Sequence, residues 1–456
     1  MTRATADRTA AACAEIADLG AGPGSIAGSI SVSTDRAQLV KVSSDWSRMS
    51  PVLQEKVPAG RYVADAVVRP TRPEQVAQVL AVAYRHDVPV TPRGAGTGNY
   101  GQATPFDGGI LLDLRGLDSF RLTDDGTLVA GAGARMTTID KAIRARGRDL
   151  WMYPSTKSST LGGFIGGGSA GTGTIEHRTT SDGLVVSATV APMDGSGETF
   201  TVSGDDLTPY IHTYGVTGIL VEVEVRTDPA RDWTAVYTAF DTYDELVAVH
   251  RGLTGLSVLP RLASADEPAL VPTLTASVEL DPARFSLRVI AESSTVDELR
   301  ALVSGGGGDV VAALDDYVET DRLSGMSYNH PVWFLQRAHP ERNLFHMECS
   351  GEPLWDRPDD VREVYDGPVH IHLELFRHGP GAMVVAEYRG EQALLDGIPR
   401  FDALGVGVHS PHQWYVDRNV ELAIETARRT DPKGLLNTGK LTATPPVDSR
   451  LNMGVR

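Results

Sequence analysis

Cysteine is nearly absent from this chain of 456 residues: Cys13 and Cys349 are the only two. They lie far apart and match no metal-ligand spacing, which excludes a disulfide framework and a cysteine-built metal centre and points to free thiols in a reducing compartment. Positive charge is scarce too. Lys and Arg number 42 against 59 Asp and Glu, a formal net charge of −17. A nucleic-acid binder normally shows a basic face, so that partner class is disfavoured, as is an anionic membrane surface. No run approaches the roughly eighteen apolar residues a membrane span needs. The N-terminal MTRATADRTAAACAEIADLG has no continuous apolar stretch and reads as a helix, not a signal peptide. The expected setting is cytoplasmic. The length predicts two or three structural units. No internal repeat is present, and the element pattern changes in kind along the chain.

Glycine, by contrast, is concentrated. Pro92–Gln102 reads PRGAGTGNYGQ, with Gly94, Gly96, Gly98 and Gly101 close together after the short apolar stretch Val88–Val90. Glycine tolerates φ > 0 and carries no Cβ, so such a loop turns tightly and lets backbone N–H groups approach an anion. No Gly-Lys-Ser/Thr follows, which excludes a Walker A loop. Gly96, Gly98 and Gly101 match GxGxxG by letters alone, because no helical pattern begins after them. A second stretch, YPSTKSSTLGGFIGGGSAGTG over Tyr153–Gly173, is too glycine-rich for an ordinary connection. Its hydroxyls can donate to phosphate or heterocycle oxygens. Two such loops predict one large, phosphate-bearing ligand.

The remaining signals predict alternating elements. AVVRP at 66–70 is extended. Thr71 and Glu74 form a capping-box pattern with Pro73 in the first turn, and Val76, Val79, Leu80 and Ala83 follow at helical spacing. Strands are expected at Gly109–Leu114, Leu128–Gly131 and 218–227, a helix over Thr137–Arg146, and a hairpin turn at Asp194-Gly195. Beyond Asp228-Pro229 the pattern changes, with helices expected at 241–252 and 295–303 and strands at 285–291 and 369–376. Gly305–Gly308 reads as a surface loop. A last helix, Val420–Arg429, leads to DPKGLLNTGKL.

In their order, VVRPTRPEQVAQVL, PVTPRGAGTGNYGQA, GGILLDL, VAGAGARMTTIDKAI, YPSTKSSTLGGFIGGGSAGTG, YGVTGILVEVEV and DPKGLLNTGKL resemble the flavoprotein family typified by vanillyl-alcohol oxidase and p-cresol methylhydroxylase. The nearest branch is that of D-lactate dehydrogenases and the FAD-linked glycolate oxidase. The resemblance implies an α+β fold: a two-subdomain FAD-binding domain with an inserted α+β cap. The implied divisions are an N-terminal extension with one helix (1–60), the FAD-binding domain (61–229), the cap (230–404) and a C-terminal return (405–456). It assigns the FAD pyrophosphate to Arg93, Gly94, Ala95, Gly96, Thr97, Gly98 and Asn99, with Gln102 close by. It assigns the flavin and ribityl chain to Pro154, Ser155, Thr160, Gly162, Gly163, Gly167, Ser169, Gly171 and Thr172. Gly218 and Ile219 match a later cofactor segment, and Asn437 and Lys440 match a closing motif whose proline is here Thr438. Many relatives tether FAD through a histidine in the first loop; Thr97 stands at that position, so the FAD is expected to be non-covalent.

The implied reaction is oxidation of an alcohol or 2-hydroxy acid, with a small molecule as donor and O2 or a second electron carrier as acceptor; the alternatives are oxidation of a phenolic or amine substrate in secondary metabolism, or a flavin-binding protein without turnover. Oxidised flavin accepts a hydride equivalent at N5, and the protein supplies a base for the accompanying proton. Histidine suits that task near neutral pH. His370 and His372 share one strand face in VHIHLELF, and His409 and His412, with Tyr415 nearby, sit where the D-lactate branch carries a Glu-His-Gly motif. Arg337 and Arg377 are candidates for clamping a carboxylate. The branch's metal-binding histidine motif is absent, so no metal site is expected. A homodimer is compatible with the sequence.

Overall fold

The computed structural model of the protein describes residues 3–19, 30–168 and 170–447. Its first sheet is built where the motif order begins. Ala66–Arg69 and Val90–Arg93 flank Ile110–Asp113 in parallel, and Ser31–Ser33 adds an antiparallel edge. The helix Pro73–Arg85 crosses between the first two parallel strands and buries Val76, Val79, Leu80 and Ala83. Its start differs from the expected capping box. Pro73 occupies the first turn, so Arg72 becomes the N-cap and Gln75, not Glu74, falls three residues on. The Gln75 Oε1 accepts from Thr71 N–H at 2.8 Å, closing the same orphan-donor problem one residue later.

The described residues before 60 carry three α-helices, Arg3–Asp18, Arg36–Val42 and Pro51–Lys56, besides the edge strand. Ala12, Cys13 and Ile16 are buried in the same core as the helix Pro73–Arg85. A single helix was expected because three-residue strands and one- or two-turn helices carry no periodicity to read.

The second sheet is antiparallel throughout, in the order Phe120–Leu122, Leu128–Gly131, Ile219–Val225, Val185–Ala191, Phe200–Ser203. Ile219 and Val221 also reach into the first core, which joins the two sheets. The expected hairpin around Asp194-Gly195 links two of these strands.

The third unit is an eight-stranded antiparallel sheet. Its order is Asp309–Leu314, Trp233–Phe240, Phe285–Glu292, Leu262–Asp266, His370–Phe376, Gly379–Glu387, Leu344–Ser350, Gly407–His409. The last strand carries this sheet a few residues beyond 404. Alternation along each strand sorts its faces. Ile371, Leu373, Leu375, Ala382, Val384, Phe345, Met347 and Val408 enter one apolar core, covered by the helices Tyr243–Gly252 and Val296–Gly305. The opposite face is mixed. Trp233, Ala235, Tyr237, Leu262 and Ile290 form an apolar cluster on one part of it, and across another part runs a rung of directly paired residues that includes Asp266, His372, Met383, Glu348 and His409. Gly305–Gly308 closes the helix Val296–Gly305 and turns into the strand beginning at Asp309.

Candidate functional site

The polar rung of the eight-stranded sheet meets both glycine loops at one cleft of about 320 Å³. The first loop leaves the strand Val90–Arg93 and is fastened from behind. Trp46 N–H donates to Gly98 O at 2.7 Å, Gly101 N–H to Asp45 Oδ2 at 2.7 Å, and Arg93 Nη1 to Ser44 O at 3.0 Å. Gly96 has φ +73°, and a Cβ there would strike the Arg93 guanidinium, so only glycine folds the chain back over that side chain.

The second loop is not all loop. Thr160 caps a short helix, Leu161–Gly167, by accepting from Gly163 N–H at 3.2 Å. Gly162, Gly163, Gly166 and Gly167 recur at helical spacing; a Cβ on Gly162 would strike Ala132 and one on Gly163 the Thr160 hydroxyl, so the bare face is that of Gly166 and Gly167. A Cβ on Gly166 would find nothing within 4 Å, and one on Gly167 only Tyr214, 3.9 Å away. Glycine in a helix costs about 1 kcal/mol against alanine, so a bare helical face opening on a cleft suits a flat ligand. The two loops are pinned together. Thr97 Oγ1 and Ser159 Oγ are 2.7 Å apart, and Gly94 packs so closely on Thr160 that a Cβ would overlap its hydroxyl.

The far end of the cleft is ionised. His409 Nδ1 lies 2.7 Å from Glu348 Oε2, and its Nε2 lies 2.9 Å from Asp417 Oδ2. Burial opposes a charge on this ring, but Asp417 and Glu348 outweigh it and push its pKa up to about 10. Burial likewise opposes the Glu348 charge, and His409 above all brings that carboxyl down to about 2. His409 is therefore a fixed imidazolium at neutral pH, not the poised base expected from the sequence. Tyr100 O–H donates to Glu348 Oε1 at 3.0 Å and accepts from Asn329 Nδ2 at 2.5 Å. Asn329 Oδ1 is buried with no partner. Burial lowers the pKa of His330, which also lines the cleft, so that imidazole is neutral.

Arg93, Gly94, Ala95, Gly96, Thr97, Gly98, Asn99, Gln102, Pro154, Ser155, Thr160, Gly162, Gly163, Gly167, Gly218, Ile219 and His409 all line this cleft. Ser169 lies outside the described residues. Several other sequence candidates lie away from the cleft. Gly171 packs on the Tyr153 backbone, and Thr172 Oγ1 bonds Ser324 Oγ at 2.6 Å. Asn437 Nδ2 donates to Gln102 O and Tyr214 O, and Lys440 Nζ to Thr104 O at 2.6 Å. These two brace the first loop from outside. His412 is buried between Ser50 Oγ and His346 O. His370 lies beside Glu267, and His372 is enclosed by Asp266 and Glu374 at 2.9 and 2.8 Å. Tyr415 packs on Trp414. Arg337 and Arg377 are exposed.

Tyr100, Asn329, His330 and Glu348 escaped the sequence reading. Tyr100 stands within the first glycine loop, but the others sit in segments with no motif. A further cluster, Glu176, His177 and Asp228, brings possible ligand atoms within 4.8 Å of one another. Arg231 pairs with Glu176 at 2.8 Å and Trp151 Nε1 donates to Asp228 at 2.8 Å, so these carboxylates already have partners.

Several known proteins are similar to this chain. Residues 64–203 match a family model described as an FAD binding domain. An FAD-linked oxidoreductase of Mycobacterium tuberculosis is 31% identical over 189 residues, 40% of this chain. The matched stretch spans only 41% of that relative's length. The glycolate oxidase subunit GlcD of Bacillus subtilis is 26% identical over 228 residues, 48% of each chain. A D-lactate dehydrogenase of Archaeoglobus fulgidus is 27% identical over 419 residues, covering 82% of this chain and 90% of the relative. Among solved structures, an alkyldihydroxyacetonephosphate synthase superposes with a TM-score of 0.71 over 90% of this chain and 82% of its own, at 15% identity. The shared fold thus extends through the cap as well as the FAD-binding part.

Proposed function

We propose that this chain, which carries the FAD-binding domain of the FAD-linked oxidase family, oxidises an alcohol or 2-hydroxy acid to the carbonyl. The observation that carries the reading is the single cleft shared by two glycine loops and the cap-sheet rung Met383–Glu348–His409. The named activities of the relatives, glycolate oxidase and D-lactate dehydrogenase, support it. The bare face of the helix Leu161–Gly167 and the folded-back first loop suit a flat ring joined to a pyrophosphate. Bound FAD would supply a hydride acceptor.

In this reading Arg93 and the backbone of Gly94–Asn99 hold the pyrophosphate. Gly162, Gly163, Gly166 and Gly167 lie against the ring system. Tyr100, Asn329 and Glu348 form a hydrogen-bonded wall that orients the donor. The neutral His330 imidazole accepts the hydroxyl proton, since His409 is already protonated and His212, lowered by burial to about 3, is too weak a base. O2 or a second carrier takes the electrons onward. Both cysteines are free and buried, which suits the reducing, cytoplasmic setting expected from the sequence. The described residues include no helix long and apolar enough to cross a membrane.

In this reading FAD would be held without a covalent bond. The Thr97 hydroxyl is engaged with Ser159. The Cys349 thiol is pushed up by burial and by Glu348, and a protonated thiol is a poor nucleophile. Purified protein is expected to be yellow, to leave that colour in the supernatant after acid precipitation, and to bleach anaerobically with its donor. A yellow pellet would overturn the linkage; a colourless protein that takes up no FAD would overturn the reading itself.

A further inference from the structure

We infer that the donor oxidised in this cleft carries no carboxylate, and that a cationic amino alcohol is favoured over a neutral one. The inference rests on the oxidase reading above and narrows it. A 2-hydroxy acid brings a permanent anion beside the reacting carbon, and a buried anion needs a cationic or multiple-donor partner. Among the described residues, the only arginine or lysine lining the cleft is Arg93, which belongs to the first glycine loop and donates to Ser44 O. Arg337 and Arg377, which would have served as clamps, are exposed and do not line it.

The cation at the cap end is not free either. Both ring nitrogens of His409 are spent, one on Glu348 and one on Asp417. Of these groups only Glu348 and His409 line the cleft, so its wall there is an ion pair closed on itself, and Asp417 behind it lies in the field of Arg418. Of the four tyrosines lining the cleft, Tyr100 O–H donates to Glu348 and Tyr328 O–H to Gly171 O at 2.9 Å, while Tyr210 and Tyr214 lie beside Gly218 and Gly167, on the glycine-loop side. What the wall leaves unsatisfied is an acceptor. Asn329 Oδ1 is buried without a partner; its Nδ2 donates to Tyr100, whose own proton goes to Glu348 and whose oxygen also lies 3.3 Å from His346 Nε2. A free carbonyl oxygen beside a carboxylate receives an O–H or N–H group and repels a carboxylate.

The chemistry is unchanged by the narrowing. The C–H bond of a CH–OH group leaves as hydride to FAD, the O–H proton passes to the protein, and a C=O bond forms. One matched set isolates the charge: mandelate, 1-phenyl-1,2-ethanediol and 2-amino-1-phenylethanol present the same benzylic CH–OH beside a carboxylate, a hydroxymethyl or an aminomethyl group, the last protonated at neutral pH. The FAD-loaded protein is mixed anaerobically with each, and flavin bleaching is followed. The amino alcohol and the diol are expected to bleach it at least about tenfold faster than either enantiomer of mandelate, corresponding to roughly 1.4 kcal/mol, with the amino alcohol fastest. Mandelate equal to or faster than the diol overturns the inference while leaving the oxidase reading intact. If nothing bleaches, the same compounds are titrated against the oxidised flavin spectrum. Tighter binding of the amino alcohol then upholds the charge preference while the oxidase reading falls; tighter binding of mandelate, or no response to the amino alcohol and diol, overturns the inference.

Discussion

Gly166→Ala separates what the short glycine helix needs as a helix from what it does for a ligand. Gly166 lies inside Leu161–Gly167, and a Cβ there would meet nothing within 4 Å. In the ligand-free protein the substitution should therefore stabilise. Alanine gains about 0.5–1 kcal/mol over glycine in a helix interior, a rise of about 1–3 °C in the Tm of the apoprotein at the slope usual for larger domains. With FAD the sign reverses, because the methyl stands where the ring system would pack. Overpacking of about 1–3 kcal/mol corresponds to roughly 5- to 150-fold weaker FAD binding. Thermal melts of the apoprotein and quenching of FAD fluorescence on titration read the two effects separately. Gly305→Ala is the control: it ends an exposed cap helix, with nothing within 4 Å of its added Cβ, and should leave FAD affinity unchanged. Gly166→Ala protein that binds FAD as tightly as the parent would refute the placement of the flavin on this face.

Two further predictions concern the cap. His372→Ala removes the imidazole between Asp266 and Glu374 in a fully buried cluster that also holds Arg288; a loss of about 3–5 kcal/mol is expected in chemical denaturation, with FAD affinity retained in the folded protein, and a variant as stable as the parent would refute a structural role. The Glu348–His409 pair sets a pH window. His409 is raised from 6.5 to about 10, so its contribution is complete below about pH 6.5 and is lost as pH rises through 10; Glu348 is lowered from 4.5 to about 2, so its contribution is complete above about pH 4.5 and is lost as pH falls through 2. Denaturation across that range should show Glu348→Gln flattening the alkaline fall, and an unchanged profile would argue against the pairing.

The glycine-loop side of the cleft is legible because its backbone demands are local. A backbone that must fold over an anion needs glycine at closely spaced positions, and Gly94–Gly101 and Gly162–Gly168 announce this in the sequence itself. Helical spacing was equally local, which is why Pro73–Arg85 and Val420–Thr430 fell close to their expected bounds. Local signals are missing where partners are distant. The segment at 44–46 that fastens the first loop has no motif, because its work is done by two backbone groups and the Asp45 carboxylate. The helix within the second loop was hidden for the opposite reason: four glycines contradict helical propensity, and only the cap supplied by Thr160 and the packing around Phe164 and Ile165 override it.

The cap-sheet end of the cleft is illegible for a stronger reason, which is strand order. Alternation in VHIHLELF correctly puts His370 and His372 on one face, yet that face holds five residues of one rung, contributed by five strands from positions 266, 372, 383, 348 and 409. Which of them reach the cleft depends on where each strand lies in the sheet. His372 sits well inside, against Asp266, and becomes part of a buried ion cluster. His409 sits on the edge strand Gly407–His409, where the sheet meets the glycine loops. Two histidines of similar sequence context thus acquire different work from position alone. The same order places Glu348 beside His409 and leaves no arginine on the rung, so the ion pairing at this end of the cleft is a property of the sheet's topology, not of any segment within it.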